Sequence, residues 1–208
     1  NFVMEGKATV AHSVIGPKVL GYTQAAEAAC IGYDPEGAKA LIEANNWQDE
    51  PILFLVPTSP TYIPMGEFFQ SNLKAVGFNN VKMEMIDWAA WLTESKLENR
   101  FDITLAAWSN VTRDGTELLE PNWESKASAR NKINNAVFDQ LVMDSKTTAD
   151  VEKRMVALEN ANILLMEEAL VAPLVNGEYH FAYNSRDYAN IDLTTDGSFY
   201  IKEFSPAQ

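Results

Sequence analysis

The chain has 208 residues, 47% of them apolar, and a formal net charge of −13. That length and apolar content support one large domain, or a lobe with an appendage, around a real core. The acidic balance argues against nucleic acid or anionic membrane as partner, since both demand basic surface, and the single cysteine excludes an internal disulfide. Cys30, His12 and His180 lack any metal-ligand spacing. No stretch has the apolar length of a membrane span, and no signal peptide is visible. Because the chain opens at Asn1 without a methionine, we expect a fragment or processed piece of a longer protein.

Residues 1–32 are weakly patterned, broken at Gly16-Pro17, with an alanine-rich patch at Ala25 to Ala29 that suits a helical turn. Asp34 and Pro35 are a sharper signal. They are an N-cap and a first-turn proline, opening a helix whose Ala38, Leu41 and Ile42 face inward until Asn45 and Asn46. Ile52 to Val56 is wholly apolar, as in a strand covered on both faces. Pro57 to Pro60 breaks it. Met65, Phe68, Phe69, Leu73 and Val76 then mark one face of a helix closed by Gly77. Val81 to Ile86 alternates, with Val81, Met83 and Met85 on one side. Asp87 caps a helix from Trp88 to near Leu97, with Trp88, Trp91 and Leu92 on one face, and Phe101 to Ala107 is the third strand. This order predicts an α/β fold with a βαβαβ core, parallel strands and right-handed crossovers. It places a ligand site outside the carboxyl ends of the strands.

Residues 109–135 read as a long loop, packed down through Leu118, Leu119 and Trp123. Asn135 caps a helix bearing Val137, Phe138, Leu141 and Val142. Thr147 to Asp150 fits a capping box for a longer helix, with Val151, Met155, Leu158 and Leu165 inward and an end near Glu168. Leu170 to Val175 is a strand that Pro173 confines to an edge or a bulge. Tyr179 to Tyr183 is strand-like, Thr195 to Ser198 is a turn, and Ser198 to Phe204 is a closing strand.

Some of these pieces carry more than secondary structure. Tyr33-Asp-Pro-Glu-Gly-Ala-Lys-Ala-Leu41 is followed by a tryptophan and an apolar strand. Phe68-Phe-Gln-Ser-Asn-Leu-Lys-Ala-Val-Gly77 is followed by a Val-x-Met-Glu strand and Asp87-Trp88. Phe101-Asp102, Trp108-Ser109, Phe138-Asp139, Glu152-Lys-Arg154 and Ala172-Pro-Leu174 come after. In this order they resemble the extracellular solute-binding proteins of peptide and nickel ABC transporters (family 5, the oligopeptide/dipeptide-binding type), from about Tyr33 to the C-terminus. The resemblance implies a periplasmic-binding-protein-like C-terminal lobe over residues 1–178, with a parallel or mixed sheet flanked by helices. Residues 179–208 would be a returning tail that packs on the N-terminal lobe of the same protein. It also implies a role: the substrate-binding component of an ABC importer, periplasmic or at the cell surface. Such a protein traps a short peptide or related small solute between two lobes and presents the closed form to a membrane permease, with no chemistry, cofactor or metal.

By the same resemblance Trp108, at the end of the third strand, lines the ligand cleft, with a core tryptophan as the alternative. Trp88, after the second strand, is the other pocket tryptophan, and Trp91, one turn on, is read as core. Peptide-binding members place an aspartate for the ligand's amino group shortly after the Trp108 position. Val111 stands there, and Asp114 is the nearest acid, either that partner or a solvated loop residue. Ser109, Asn110 and Thr112 either bond a ligand backbone or shape a turn. Tyr62 reaches the cleft or lies on its rim. Asn131, next to Arg130, meets the ligand or the partner lobe, or belongs to a surface loop. Cys30 is read as a small buried hydrophobe.

Two other classes stay open. One is a hydrolase using two carboxylates such as Asp114 and Glu120, although no nucleophile–base pair, phosphate loop or metal motif is visible. The other is an interaction domain that self-associates through a face the other lobe would cover.

Overall fold

The computed structural model describes residues 3–128, 130, 133–189, 191, 198 and 204–206. In chain order the elements are β1 (Ala8–Val10), α1 (Gln24–Ala28), α2 (Pro35–Asn45), β2 (Ile52–Pro57), α3 (Tyr62–Ala75), β3 (Val81–Ile86), α4 (Trp88–Glu94), β4 (Ile103–Thr104), α5 (Gly115–Trp123), α6 (Ala136–Thr147), α7 (Val151–Glu167), β5 (Val175–Gly177), β6 (Tyr188–Ala189) and β7 (Ser205–Pro206). Among the described residues no helix is long and apolar enough to cross a membrane. The chain divides into two compact units, one built on Gly32–Ala107 and one on Gly6–Ile31 with the chain from Trp108 onward.

The Gly32–Ala107 unit holds the predicted strand–helix–strand–helix–strand core. β2 is the central strand, with β3 and β4 parallel on either side; Ile52 lies opposite Val81, and Phe54 opposite Ile103. Phe54, Leu55 and Val56 are fully buried, as their unbroken apolar run requires. Local caps set the helix starts. Asp34 accepts from the Gly37 N–H at 2.9 Å with Pro35 in the first turn, and Asp87 accepts from the Ala89 and Ala90 N–H groups. α3 ends through Val76 into Gly77, whose φ of +118° suits a residue without a Cβ. At Gly66 the same helix comes so close to the sheet that a Cβ would meet Met83 Sδ and Val56 Cγ2 at 3.0 Å.

Several expectations for this unit are corrected. β4 is Ile103–Thr104, not Phe101 to Ala107, because the Asp102 side chain takes a backbone N–H of β2 at one end and Pro57 has no N–H to give at the other. Asp102 accepts from the Leu53 N–H at 2.7 Å, and Thr104 donates its hydroxyl to the Leu55 carbonyl at 2.8 Å. Leu41 is exposed while Ile42 is buried; helix neighbours lie about 100° apart, so a narrow contact takes one of them. Phe68 and Met85 are exposed, and of Trp88, Trp91 and Leu92 only Trp91 is buried. β3 is an edge strand, so its outer end has less cover than an alternating pattern suggests.

The other unit is mainly helical. Its core joins Ile15 to Leu118, Leu119 and Trp123 of α5, Phe138 and Val142 of α6, and Leu158, Leu165 and Met166 of α7. The alanine-rich patch forms α1, capped by Thr23, and Cys30 packs half-buried at the core's margin. Asn135 caps α6 as expected, accepting from Val137 and Phe138. α7 is capped by Asp150 rather than Thr147, which ends α6, and Val151 faces solvent in consequence. The supposed loop at 109–135 contains α5. Gly115 and Pro121 hide it in the sequence, yet Asp114 caps it and Leu118, Leu119 and Trp123 are buried along one stripe.

Past α7, the strand begins at Val175, not Leu170. Ala169 takes a left-handed turn at φ 52°, the Leu170 N–H closes the helix on the Leu165 carbonyl, and Pro173 has no N–H to give. β5 pairs antiparallel with β1, Thr9 opposite Asn176, and β6 pairs antiparallel with β7. Tyr179 to Tyr183 forms no strand; Phe181 and Tyr183 stack on each other at 6.2 Å. Most of the expected turn at Thr195 and of the strand Ser198 to Phe204 lies outside the described residues.

Candidate functional site

In the Gly32–Ala107 unit, two predicted site residues come together at the carboxyl end of the parallel sheet. Tyr62 opens α3 directly after β2, its N–H donated to Ser59 Oγ at 2.9 Å. Trp88 opens α4 directly after β3, placed there by the Asp87 cap. Their rings stack at 6.1 Å between centroids with planes 7° apart, and Trp88 stacks in turn on Trp91 at 5.0 Å and 21°. Trp88 stays 45% exposed, whereas Trp91 is buried. Burial raises the pKa of the Tyr62 phenol, with the Ala107 backbone hydrogen bond pulling the other way. The result is a ledge of three rings at the strand ends where parallel sheets hold ligands.

In the other unit, Trp108 is 46% exposed. Ser109 shares a hydrogen bond of 2.8 Å with the Tyr179 hydroxyl, a partner no local signal announced. Asn110 shapes the loop: its Nδ2 donates to the Asp114 carbonyl at 2.7 Å, and its Oδ1 accepts from the Asp114 N–H at 3.1 Å. Thr112 donates both its N–H and its hydroxyl to Glu117, and these bonds hold that carboxyl below its ordinary pKa.

The Asp114 carboxylate is engaged on both sides. Oδ1 accepts from the Thr116 N–H at 2.9 Å, capping α5, and Oδ2 pairs with the Arg154 guanidinium of α7. Arg154 also donates to the Ser145 carbonyl of α6 at 2.9 Å. Burial pushes the Asp114 pKa up, but the Thr116 and Arg154 hydrogen bonds outweigh it and the net direction is down. Glu120, its partner in the hydrolase alternative, pairs with Lys146 instead. Asp114 and Glu120 thus each face their own cation rather than each other. Among the described residues no group of three or more His, Cys, Asp or Glu could hold a metal. Asn131 lies outside the described residues.

Residues 1–130, more than half of the chain, match the family described as Bacterial extracellular solute-binding proteins, family 5 Middle, and the chain belongs to that family. It is 26% identical over 185 residues to the probable di/tripeptide-binding protein 5 of Pseudomonas aeruginosa, across 84% of this chain and 34% of that one. The chain thus spans about a third of the length of the curated relatives it matches. Its fold is similar to the dipeptide-binding protein of Pseudoalteromonas sp. SM9913 solved with Met-Leu, with TM-score 0.78 at 22% identity over 99% of this chain and 42% of that one. It is also similar to a solved peptide ABC transporter peptide-binding protein, with TM-score 0.67 at 21% identity, over 83% of this chain and 82% of that one.

Proposed function

We propose that this chain is the C-terminal lobe, residues 1–178, and returning tail, residues 179–208, of a substrate-binding component of an ABC importer for short peptides. The observation that carries this reading is the Tyr62–Trp88–Trp91 ledge at the carboxyl ends of a parallel sheet, in a chain of this family. Aromatic faces contact side chains of many shapes, which suits a transporter that accepts varied peptides. The relatives' names, di/tripeptide- and dipeptide-binding, support peptide over other solutes. Tyr62 and Trp88 are the ligand contacts of the Gly32–Ala107 unit; Trp108, Ser109 and Asn131 are the candidates of the other unit, taken by themselves. Asn110 and Asp114 act mainly by shaping and anchoring the loop after Trp108. The protein works without chemistry, in the periplasm or at the cell surface. Its partners are an N-terminal lobe of the same polypeptide and a membrane permease.

The test is calorimetric titration of the complete polypeptide with Met-Leu and a panel of di- to tetrapeptides. Binding that Trp88→Ala weakens by tenfold or so, about 1.4 kcal/mol, is the expected result. Absence of binding to every peptide, alongside binding of another solute, would overturn the substrate class.

The exposed Tyr179, Phe181 and Tyr183 suit a segment that packs on other protein surface, so the chain alone is expected to self-associate. A sedimentation profile independent of concentration would refute that.

A further inference from the structure

The exposed ring of Trp88 takes its plane from its neighbours, and one neighbour is tied to the centre of the sheet. Trp91 is buried against Trp88 and donates its indole N–H to Thr104 Oγ1 at 2.8 Å. Thr104 in turn donates to the Leu55 carbonyl at 2.8 Å. A hydroxyl has one hydrogen, and this one is committed to Leu55, so its lone pairs are what the indole meets. The relay therefore runs in one direction: Trp91 N–H to Thr104 O–H to the carbonyl of Leu55. Leu55 is fully buried in the middle of the central strand. At the other end of the stack, Tyr62 is placed by its backbone N–H, which bonds Ser59 Oγ at 2.9 Å. Trp88 thus stacks on Trp91, a ring fixed to β4 through the Thr104 side chain.

We infer that Thr104 is a positioning residue for ligand binding: it sets the plane of the exposed Trp88 ring through Trp91. This rests on the peptide-binding reading of the ledge. Valine matches threonine in shape but can neither accept from the Trp91 indole nor donate to Leu55, while serine keeps the hydroxyl and loses only a methyl group. Thr104→Val takes the acceptor at Thr104 Oγ1 from the buried Trp91 indole N–H, so Trp91 has reason to tilt and Trp88 to follow.

The experiment has a ligand-independent arm and a binding arm, both on the complete polypeptide. In near-ultraviolet circular dichroism, the signal of the stacked Trp88–Trp91 pair, identified as the part lost in Trp88→Phe, should collapse in Thr104→Val and persist in Thr104→Ser. Titration with Met-Leu should show affinity weakened about five- to tenfold in Thr104→Val and changed less than about twofold in Thr104→Ser. In a Trp88→Ala background, Thr104→Val should have no further effect, because the route through Trp88 is already cut. An equal loss in both backgrounds would overturn the positioning role and leave Thr104 as a general stabiliser. An unchanged dichroism signal in Thr104→Val would overturn it as well. If Met-Leu and the other peptides fail to bind the unsubstituted protein, the peptide reading falls, and the dichroism arm still decides whether Thr104 sets the ring geometry.

Discussion

Asp114 offers the sharpest contrast between a ligand contact and a structural tie. Its carboxylate caps α5 through the Thr116 N–H and pairs with Arg154, which also holds the end of α6 at Ser145. Asp114→Ala removes both roles. Loss of an N-cap costs about 1 kcal/mol. The ion pair is only about a quarter exposed on either side, so its loss costs about 1–2 kcal/mol, above the range of exposed pairs and below that of fully buried ones. Asp114→Ala should therefore destabilise by about 2–3 kcal/mol in urea unfolding at neutral pH. Asp114→Asn keeps a good cap and loses the charge, so it should lose only about 1–2 kcal/mol.

The pH dependence follows from the sign of the shift. The folded-state pKa of Asp114 lies below its ordinary value of 3.8, so its contribution is present above that value and fades as pH falls through the lower folded one. Asp114→Asn should flatten this part of the acid limb. An Asp114→Asn protein as stable as the parent at neutral pH, with peptide affinity nonetheless reduced, would refute the structural account. It would make Asp114 the partner of the ligand's amino group.

Two further outcomes are expected in the same assay. Asn162 is fully buried in the core stripe of α7, and its Oδ1 accepts from the Val14 N–H at 3.2 Å. Asn162→Ala strands that N–H and opens a small cavity, so a loss of about 2–3 kcal/mol is expected, and a change under about 0.5 kcal/mol would show the contact to be dispensable. Arg100 bridges Glu84 and Glu94, both at 2.6 Å. Arg100→Met should cost about 1 kcal/mol at low salt and less at 1 M salt, where exposed charges are screened. The Arg100 hydrogen bond lowers the Glu84 pKa, so this loss should shrink as acid protonates Glu84; a loss independent of salt and pH would point to packing of the arginine stem instead.

What could be read from sequence was what depends on near neighbours. Asp34, Asp87 and Asn135 cap their helices by hydrogen bonds two or three residues ahead, Gly77 ends α3 through its own backbone, and the apolar run of β2 declares a central strand without knowledge of its partners. The strand–helix–strand–helix–strand order, and with it the position of Tyr62 and Trp88 at the strand ends, followed from those local facts. Tertiary structure decided whatever depends on distant residues. α5 forms in spite of Gly115 and Pro121 because burial of Leu118, Leu119 and Trp123 outweighs weak local propensity. β4 starts late because Asp102 reaches a backbone N–H some fifty positions earlier in the chain. Asp114 read either as a ligand partner or as a solvated loop acid, and its tie to Arg154, forty residues away, exists only in the packed chain. A cap is short-range and shows in the sequence, whereas an ion pair, a ring stack or a truncated ladder exists only once the chain has been folded back on itself.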